Sequence, residues 1–355
     1  MAIKKDQLDV SWIDFPEKLR DRDKKSLNEF EKKHKDDIDF YAFIQYEFFK
    51  QWEDLKSYAN RKGVEIIGDL PIYLAFDSVD TWANSDILKL DKKTKKPEVV
   101  AAVPPDIYSE DGQLRGNPIY DWKILKESDF KFWIERIRLN LRLYDYLRLD
   151  HFRGFESYYE VPYGDENAKY GKWEKAYGDE FFKKVNEEFK DSKFIVEDLG
   201  FITKEVEKLK DKTGYPGMKV IQFAFGVDYS SAYLPHNFEK NSVVYASTHD
   251  SDTLQAWIDN LEDEKKEMVK KYFNIKEDSD MLWEIIRNLF LSVSDLAIFQ
   301  IQDFLAYGNE ARINTPGKLG ENWQWRLEKD VLGNDLALKI KEMAKIYGRE
   351  NYEQR

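Results

Sequence analysis

The sequence predicts an α/β fold of the (β/α)8 TIM-barrel type, and three observations carry that prediction. Amphipathic helical stretches alternate with short apolar runs, the pattern of a parallel sheet wrapped by helices. Five of about six such runs finish on Asp, Glu or a His–Asp pair, and in a β/α barrel the C-terminal strand ends converge on the mouth where chemistry sits. No G-x-G-x-x-G follows any run and no Walker sequence occurs, which argues against a nucleotide-binding sheet. The number of runs falls short of the eight strands of a closed barrel.

The first 25 or so residues are polar and read as a loosely packed lead-in, with Trp12 and Phe15 as anchors. From Phe40 to Asn60 apolar residues recur three and four apart and Gly63 follows, so this is an amphipathic helix with a glycine stop. Val64–Asp69 (VEIIGD) is a strand ending in an acid. Residues 72–120 lack periodicity and form an excursion with short strands and an ordered loop, Pro104–Pro118. Ser128–Tyr144 is a helix capped by Ser128. A short strand then ends at Asp150, followed by a Tyr- and Gly-rich loop over Glu156–Gly178 and a helix over Asp179–Phe189. Strands follow at Lys193–Asp198 (KFIVED), Lys219–Phe225 (KVIQFAF), Ser242–Asp250 (SVVYASTHD) and Ala297–Asp303 (AIFQIQD). Helices fall near Lys204–Lys212, Thr253–Leu261 and Met281–Ser292, with one more in the tail from Lys329.

Composition excludes several classes. A net charge of −12 over 355 residues disfavours nucleic acid or an anionic membrane as partner, since nothing neutralises phosphates in bulk. The Lys92–Lys96 run (KKTKK) is short enough to be a solvated turn. No cysteine is present, so disulfides, thiolate catalysis and cysteine zinc sites are out, and a reducing cytoplasm fits. Neither a signal-type apolar region nor a membrane-length span appears. Aromatic residues make up 15%, which suits sugar stacking as well as a core.

Three acid positions stand out: Asp150, Glu197 and the His249–Asp250 pair. Alternation puts Arg148 and Asp150 on one face of a strand, and a nearby cation favours a carboxylate's ionised form. Glu197 follows Phe194, Ile195 and Val196, an apolar setting that favours its protonated form. One ionised and one protonated carboxyl can cleave a glycosidic bond as nucleophile and acid, with Asp250 steadying the charged sugar. Two other readings use the same residues. Each acid can cap a helix or close a structural ion pair, and the acids with His151, Asp198 and His249 can ligate Mg²⁺ or Mn²⁺.

Longer motifs resolve the choice. Gly68–Asn84 (GDLPIYLAFDSVDTWAN), Val103–Trp122 (VPPDIYSEDGQLRGNPIYDW), Leu147–Pro162, Val196–Gly200 (VEDLG), Gly214–Phe225, Ser247–Thr253 (STHDSDT) and Gln302–Gly317 occur in that order. Together they resemble the 4-α-glucanotransferases (amylomaltases) of glycoside hydrolase family 77, from about Trp12 to Leu327. The resemblance implies that Asp150 is the nucleophile, Glu197 the acid/base and Asp250 the transition-state stabiliser. It implies sugar-binding roles for Arg148, His249, Asp69, Tyr73, Gln113, Asn117, Asp106 and Tyr108. It also implies no organic cofactor and no catalytic metal, with maltooligosaccharides and α-1,4-glucans as substrates.

Departures fall on the acceptor side, where Arg115 and Ile107 replace aromatic residues usual in the family. Ser251 replaces a usual Asn, and Ala176–Tyr177 interrupts a usual KGPG. The family's first two barrel strands have no counterpart, so residues 1–355 are expected to form one truncated barrel, with a loop region at 70–122 over the cleft. An open arc would expose strand edges. A companion N-terminal polypeptide completing the barrel is therefore expected. A weakly active or merely glucan-binding chain is the alternative.

Overall fold

Four-residue runs of Ile, Leu, Val and Phe, too short to be helices, become strands where a helix precedes them. The structure is a computed structural model and describes residues 1–105, 110–226, 228–318 and 320–350. The chain divides into two compact units, Met1–Tyr215 and Pro216–Arg355.

In the first unit β1 (Ile67–Leu70), β4 (Tyr146–Leu149) and β7 (Lys193–Val196) lie parallel in that order. The register places Asp69 opposite Arg148 and brings Leu70, Leu149 and Val196 level at the strand ends. The ladder runs one residue further: Asp150 N–H donates to Leu70 O (3.1 Å), and Glu197 N–H to Leu149 O (3.0 Å). Both acids therefore leave the sheet at the same height. Gly68 is required in β1, because a Cβ there would lie 2.0 Å from the Tyr144 ring.

Helices Lys131–Leu143 and Gly178–Glu188 lead into β4 and β7. Their buried residues, Trp133, Ile134 and Ile137 on one, Phe181, Phe182 and Val185 on the other, recur three and four apart and form single stripes. The stripes meet in an aromatic core, where Phe155 stacks on Phe181 (5.2 Å between centroids, 2° between planes) and Trp133 meets Phe155 edge-on at 5.3 Å.

A second sheet in this unit is antiparallel: β2 (Val99–Val103), β3 (Gln113–Pro118), β5 (Ser157–Pro162) and β6 (Lys172–Lys175), in the order β3-β2-β5-β6. The short strands expected between residues 72 and 120 are thus present. The expected loop over Glu156–Gly178 is corrected, since it contains β5 and β6. β6 pairs with β5, whose other partner, β2, lies about sixty residues upstream, and local patterning cannot register a partner that far away.

The lead-in anchors behave as expected. Trp12 and Phe15 are buried, and the Trp12 indole N–H donates to Phe76 O at 2.6 Å. The first long helix runs Lys35–Arg61, with Gly63 at φ 75° just beyond it. Ser128 does not cap a helix start, a further correction. Its hydroxyl bonds back to Leu125 O, Asp129 and Phe130 adopt positive φ, and the helix begins at Lys131.

The second unit holds three parallel strands, β8 (Gly217–Val220), β9 (Ser242–Tyr245) and β10 (Leu296–Ile298). Helix Met281–Leu291 buries Ile285, Ile286 and Leu289 in this unit's core. All three strands are shorter than expected: β9 ends at Tyr245, five residues before Asp250, the backbone after β8 turns into a 3-10 helix at Ile221–Phe223, and Asp303 sits in a helical turn, Ile301–Phe304. Asp303 is fully buried, accepting from Ser247 Oγ (2.5 Å) and Leu254 N–H (2.8 Å), so its place is structural. Among the described residues no helix is long and apolar enough to cross a membrane.

Phe155 is fully buried, with Trp122, Trp133, Phe152, Phe181 and Phe182 around it. Phe155→Ala should cost about 3–5 kcal/mol in denaturant unfolding. A loss under about 1 kcal/mol would mean that this cluster does not hold the first unit together.

Candidate active site

The level ends of β1, β4 and β7 carry an arginine surrounded by carboxylates. Arg148, buried in β4, places Nη1 2.6 Å from Asp69 Oδ2 and 3.6 Å from Asp150 Oδ1, with Nη2 3.1 Å from Glu197 Oε2. Alternation along β4 does what the sequence suggested: Arg148 and Asp150 share a face. The cation stays protonated, its value raised by Glu197, Asp69 and Asp150 against the opposing effect of burial.

Glu197 differs from its neighbours. Burial pushes its carboxyl up to about 8; Arg148 opposes the rise, while the neighbouring Asp150 carboxylate adds to it. Desolvation outweighs the cation here, as the apolar run before Glu197 led one to expect. The carboxyl also accepts the His151 backbone N–H at 2.8 Å. His151 can offer that bond because it takes the left-handed conformation (φ 47°), uncommon for a residue with a side chain. The turn stays tight because residue 154 is glycine: a Cβ would lie 2.6 Å from Ile72 Cδ1 and 3.0 Å from the His151 ring.

Around this centre the Tyr73 ring lies 6.2 Å from the His151 ring. Burial, together with the positive charges of Arg115 and Arg153, lowers the His151 value against the pull of Asp150. The structure thus brings together Asp69, Arg148, Asp150, Glu197 and Tyr73. Asn117 instead spends its amide on Leu74 O (2.9 Å), and Gln113 is exposed on β3. Asp106 and Tyr108 lie outside the described residues, as does Ile107.

The second unit holds the other acid. Asp250 accepts from Asn314 Nδ2 at 2.6 Å and lies 3.5 Å from His249 Nε2. Arg312 donates to the Asp250 carbonyl (2.9 Å) and the Asn314 carbonyl (2.9 Å), and pairs with Asp252. Ser251 closes its own turn by accepting from Thr248 N–H at 3.0 Å. Sequence reasoning assigned no role to Arg312, Asn314 or the His151 backbone. The first two sit in a motif that was recognised as a whole, about sixty residues from the acid they hold. The His151 contribution is a backbone conformation that no residue type announces.

Parallel strands ending level on two carboxyls that share one arginine, one of them desolvated, define a site of the kind found in carbohydrate-active enzymes that work with a carboxylate pair. The chain belongs to the 4-alpha-glucanotransferase family, glycoside hydrolase family 77, whose sequence profile matches residues 1–331. It is 47% identical to a 4-alpha-glucanotransferase of Clostridium butyricum, over 98% of this chain and 72% of that protein. With the 4-alpha-glucanotransferase of Aquifex aeolicus the identity is 46%, over 99% and 71%. An amylomaltase from Streptococcus agalactiae in complex with acarbose has the same fold, with a TM-score of 0.95 at 39% identity, covering 99% of this chain and 71% of that one. The expected barrel-type α/β class therefore stands.

The raised Glu197 carboxyl makes a stability prediction. Its contribution is present below the ordinary value of 4.5 and is lost as pH rises through about 8, because the native state binds that proton more tightly than the unfolded chain. Glu197→Gln cannot ionise, so its denaturation midpoint should fall less than that of the parent across this window. Equal declines would show that Glu197 does not titrate there.

Proposed function

We propose that the chain moves α-1,4-glucan segments from one maltooligosaccharide to the 4-hydroxyl of another glucan or glucose, by double displacement. The observation that carries this is the Asp150–Glu197 pair organised by Arg148. Asp150 attacks the anomeric carbon as the C1–O4 bond breaks, and Glu197 gives its proton to the departing oxygen. A glucosyl ester on Asp150 results. Glu197, now ionised, takes the proton of an acceptor 4-hydroxyl, whose oxygen attacks C1 and releases Asp150. Two inversions retain the α configuration, and the acid/base returns protonated.

Arg148 supports the first step by aiming the Asp150 carboxylate, 3.6 Å from its Nη1, and Asp69 fixes the guanidinium through the same nitrogen at 2.6 Å. Asp250 takes the role of steadying the sugar in the charged transition state, with His249 as its neighbour. Its hydrogen bond to Asn314 holds the carboxylate in one orientation. Tyr73, Gln113, Asn117, Asp106 and Tyr108 are assigned to substrate binding by the family motifs alone. Residues 1–355 are read as one catalytic domain, with 70–122 as its loop region. The chain works in the cytoplasm on this reading, which its lack of cysteine supports.

A second reading concerns a partner. Phe40, Ile44, Phe48, Leu55 and Tyr58 share one side of helix Lys35–Arg61, each about half exposed. Among the described residues β1 pairs only with β4. An apolar stripe of this extent beside an open strand edge supports a second polypeptide segment, carrying further strands, that covers both. Robust maltotriose disproportionation by the purified chain alone would remove the need for it.

Asp150→Asn should lower turnover at least about a thousandfold while maltoheptaose affinity stays within a few-fold. Proton NMR of the first products should show the α anomer. Undiminished turnover in the variant, or a β product, would overturn the assignment of Asp150.

A further inference from the structure

Outside the carboxylate cluster, one group of side chains is built at evident cost without serving the core. Arg153, in the turn after His151, is only 9% exposed. Its guanidinium carbon sits 3.9 Å from the Trp173 ring centroid and 5.5 Å from that of Phe201. Nη1 donates to Phe201 O at 2.7 Å, while Nε is buried without a hydrogen-bond partner. Burying a cation and leaving one of its donors unmatched is unfavourable unless the arrangement does something else.

What the arginine holds is an aromatic surface. Phe201 keeps 79% of its surface in solvent and Trp173 keeps 41%. Phe201 follows Gly200, whose positive φ (82°) turns the chain just before it. Trp173 is fixed from the other side by the Tyr159 ring, edge-on at 5.3 Å. A phenyl ring this exposed contributes almost nothing to burial, so the bond from Arg153 anchors its backbone and leaves the ring free.

The placement is informative. Arg153 lies three residues after Asp150, and Phe201 lies four after Glu197. The Arg153–Phe201 bond thus ties the loop after the nucleophile strand to the loop after the acid strand, with Trp173 of β6 alongside. Pyranose rings present flat C–H faces that stack on aromatic rings, and their hydroxyls accept from guanidinium groups. We propose that Phe201 and Trp173, clamped by Arg153, form a stacking platform for a glucose ring of the bound α-glucan, beside the Asp150–Glu197 pair. The proposal rests on the α-glucan reading above and adds a ring-binding position to it.

The test uses the full chain and isothermal titration with maltoheptaose, comparing Phe201→Ala, Phe201→Leu and Phe201→Tyr with the parent. Phe201 is so exposed that none of these changes threatens folding. Stacking predicts dissociation constants about 2–12-fold weaker for the Ala and Leu variants, with Tyr within about twofold of the parent. Leucine separates the platform from a merely apolar role, since it keeps hydrophobic surface but offers no ring face. If the Leu variant binds like the parent, or the Ala variant is unchanged, the platform is wrong while the function reading survives. If the parent itself binds no maltoheptaose, the α-glucan reading fails, and the platform with it.

Discussion

One guanidinium organises the catalytic end of the first unit. Arg148 reaches Asp69, Asp150 and Glu197 from a single position in β4. Three carboxylates converging without a cation would repel one another and force protonation. A buried arginine without them would be an uncompensated charge. Neither half makes sense alone, so the strand register that sets Asp69 opposite Arg148 and ends β4 level with β7 is what the site depends on. Arginine suits the place better than lysine, because its planar fork addresses two carboxylates through different nitrogens while a third lies within reach of the same edge.

The same cation serves two acids that end up chemically unlike. Asp150 stands at the solvent side of the guanidinium, with 36% of its side chain exposed, against 21% for Glu197. Glu197 is the more shielded, behind Phe194, Ile195 and Val196, and burial there outweighs both the arginine and the His151 N–H. The upward shift of the Glu197 carboxyl thus follows from its desolvation at the end of β7. The left-handed turn at His151 belongs to this device, because it faces a backbone donor toward the acid.

Much of this was legible from residue order. Apolar runs ending in acids located β1, β4, β7 and β9, and the Arg148–Asp150 alternation placed both groups on one face. Longer runs misled, because KVIQFAF and AIFQIQD continue their apolar pattern into 3-10 and helical turns, where a helix of that composition buries the same residues. Ser128 looked like a cap, but the residue after a helix can carry the same side chain. The β2–β5 pairing was hidden because these two strands lie about sixty residues apart in sequence. The holding of Asp250 by Arg312 and Asn314 spans a similar distance, and no local rule reaches it.

The account turns on which carboxyl receives the sugar, and that can be read directly. The chain, with any segment it needs for turnover, is incubated with an activated α-glucosyl fluoride whose second step is slow, then digested and mapped by mass spectrometry. A glycosyl adduct on the peptide bearing Asp150, absent from the Asp150→Asn variant, is the predicted result. An adduct on the Glu197 or Asp250 peptide, or steady turnover with no adduct at any time, would contradict it.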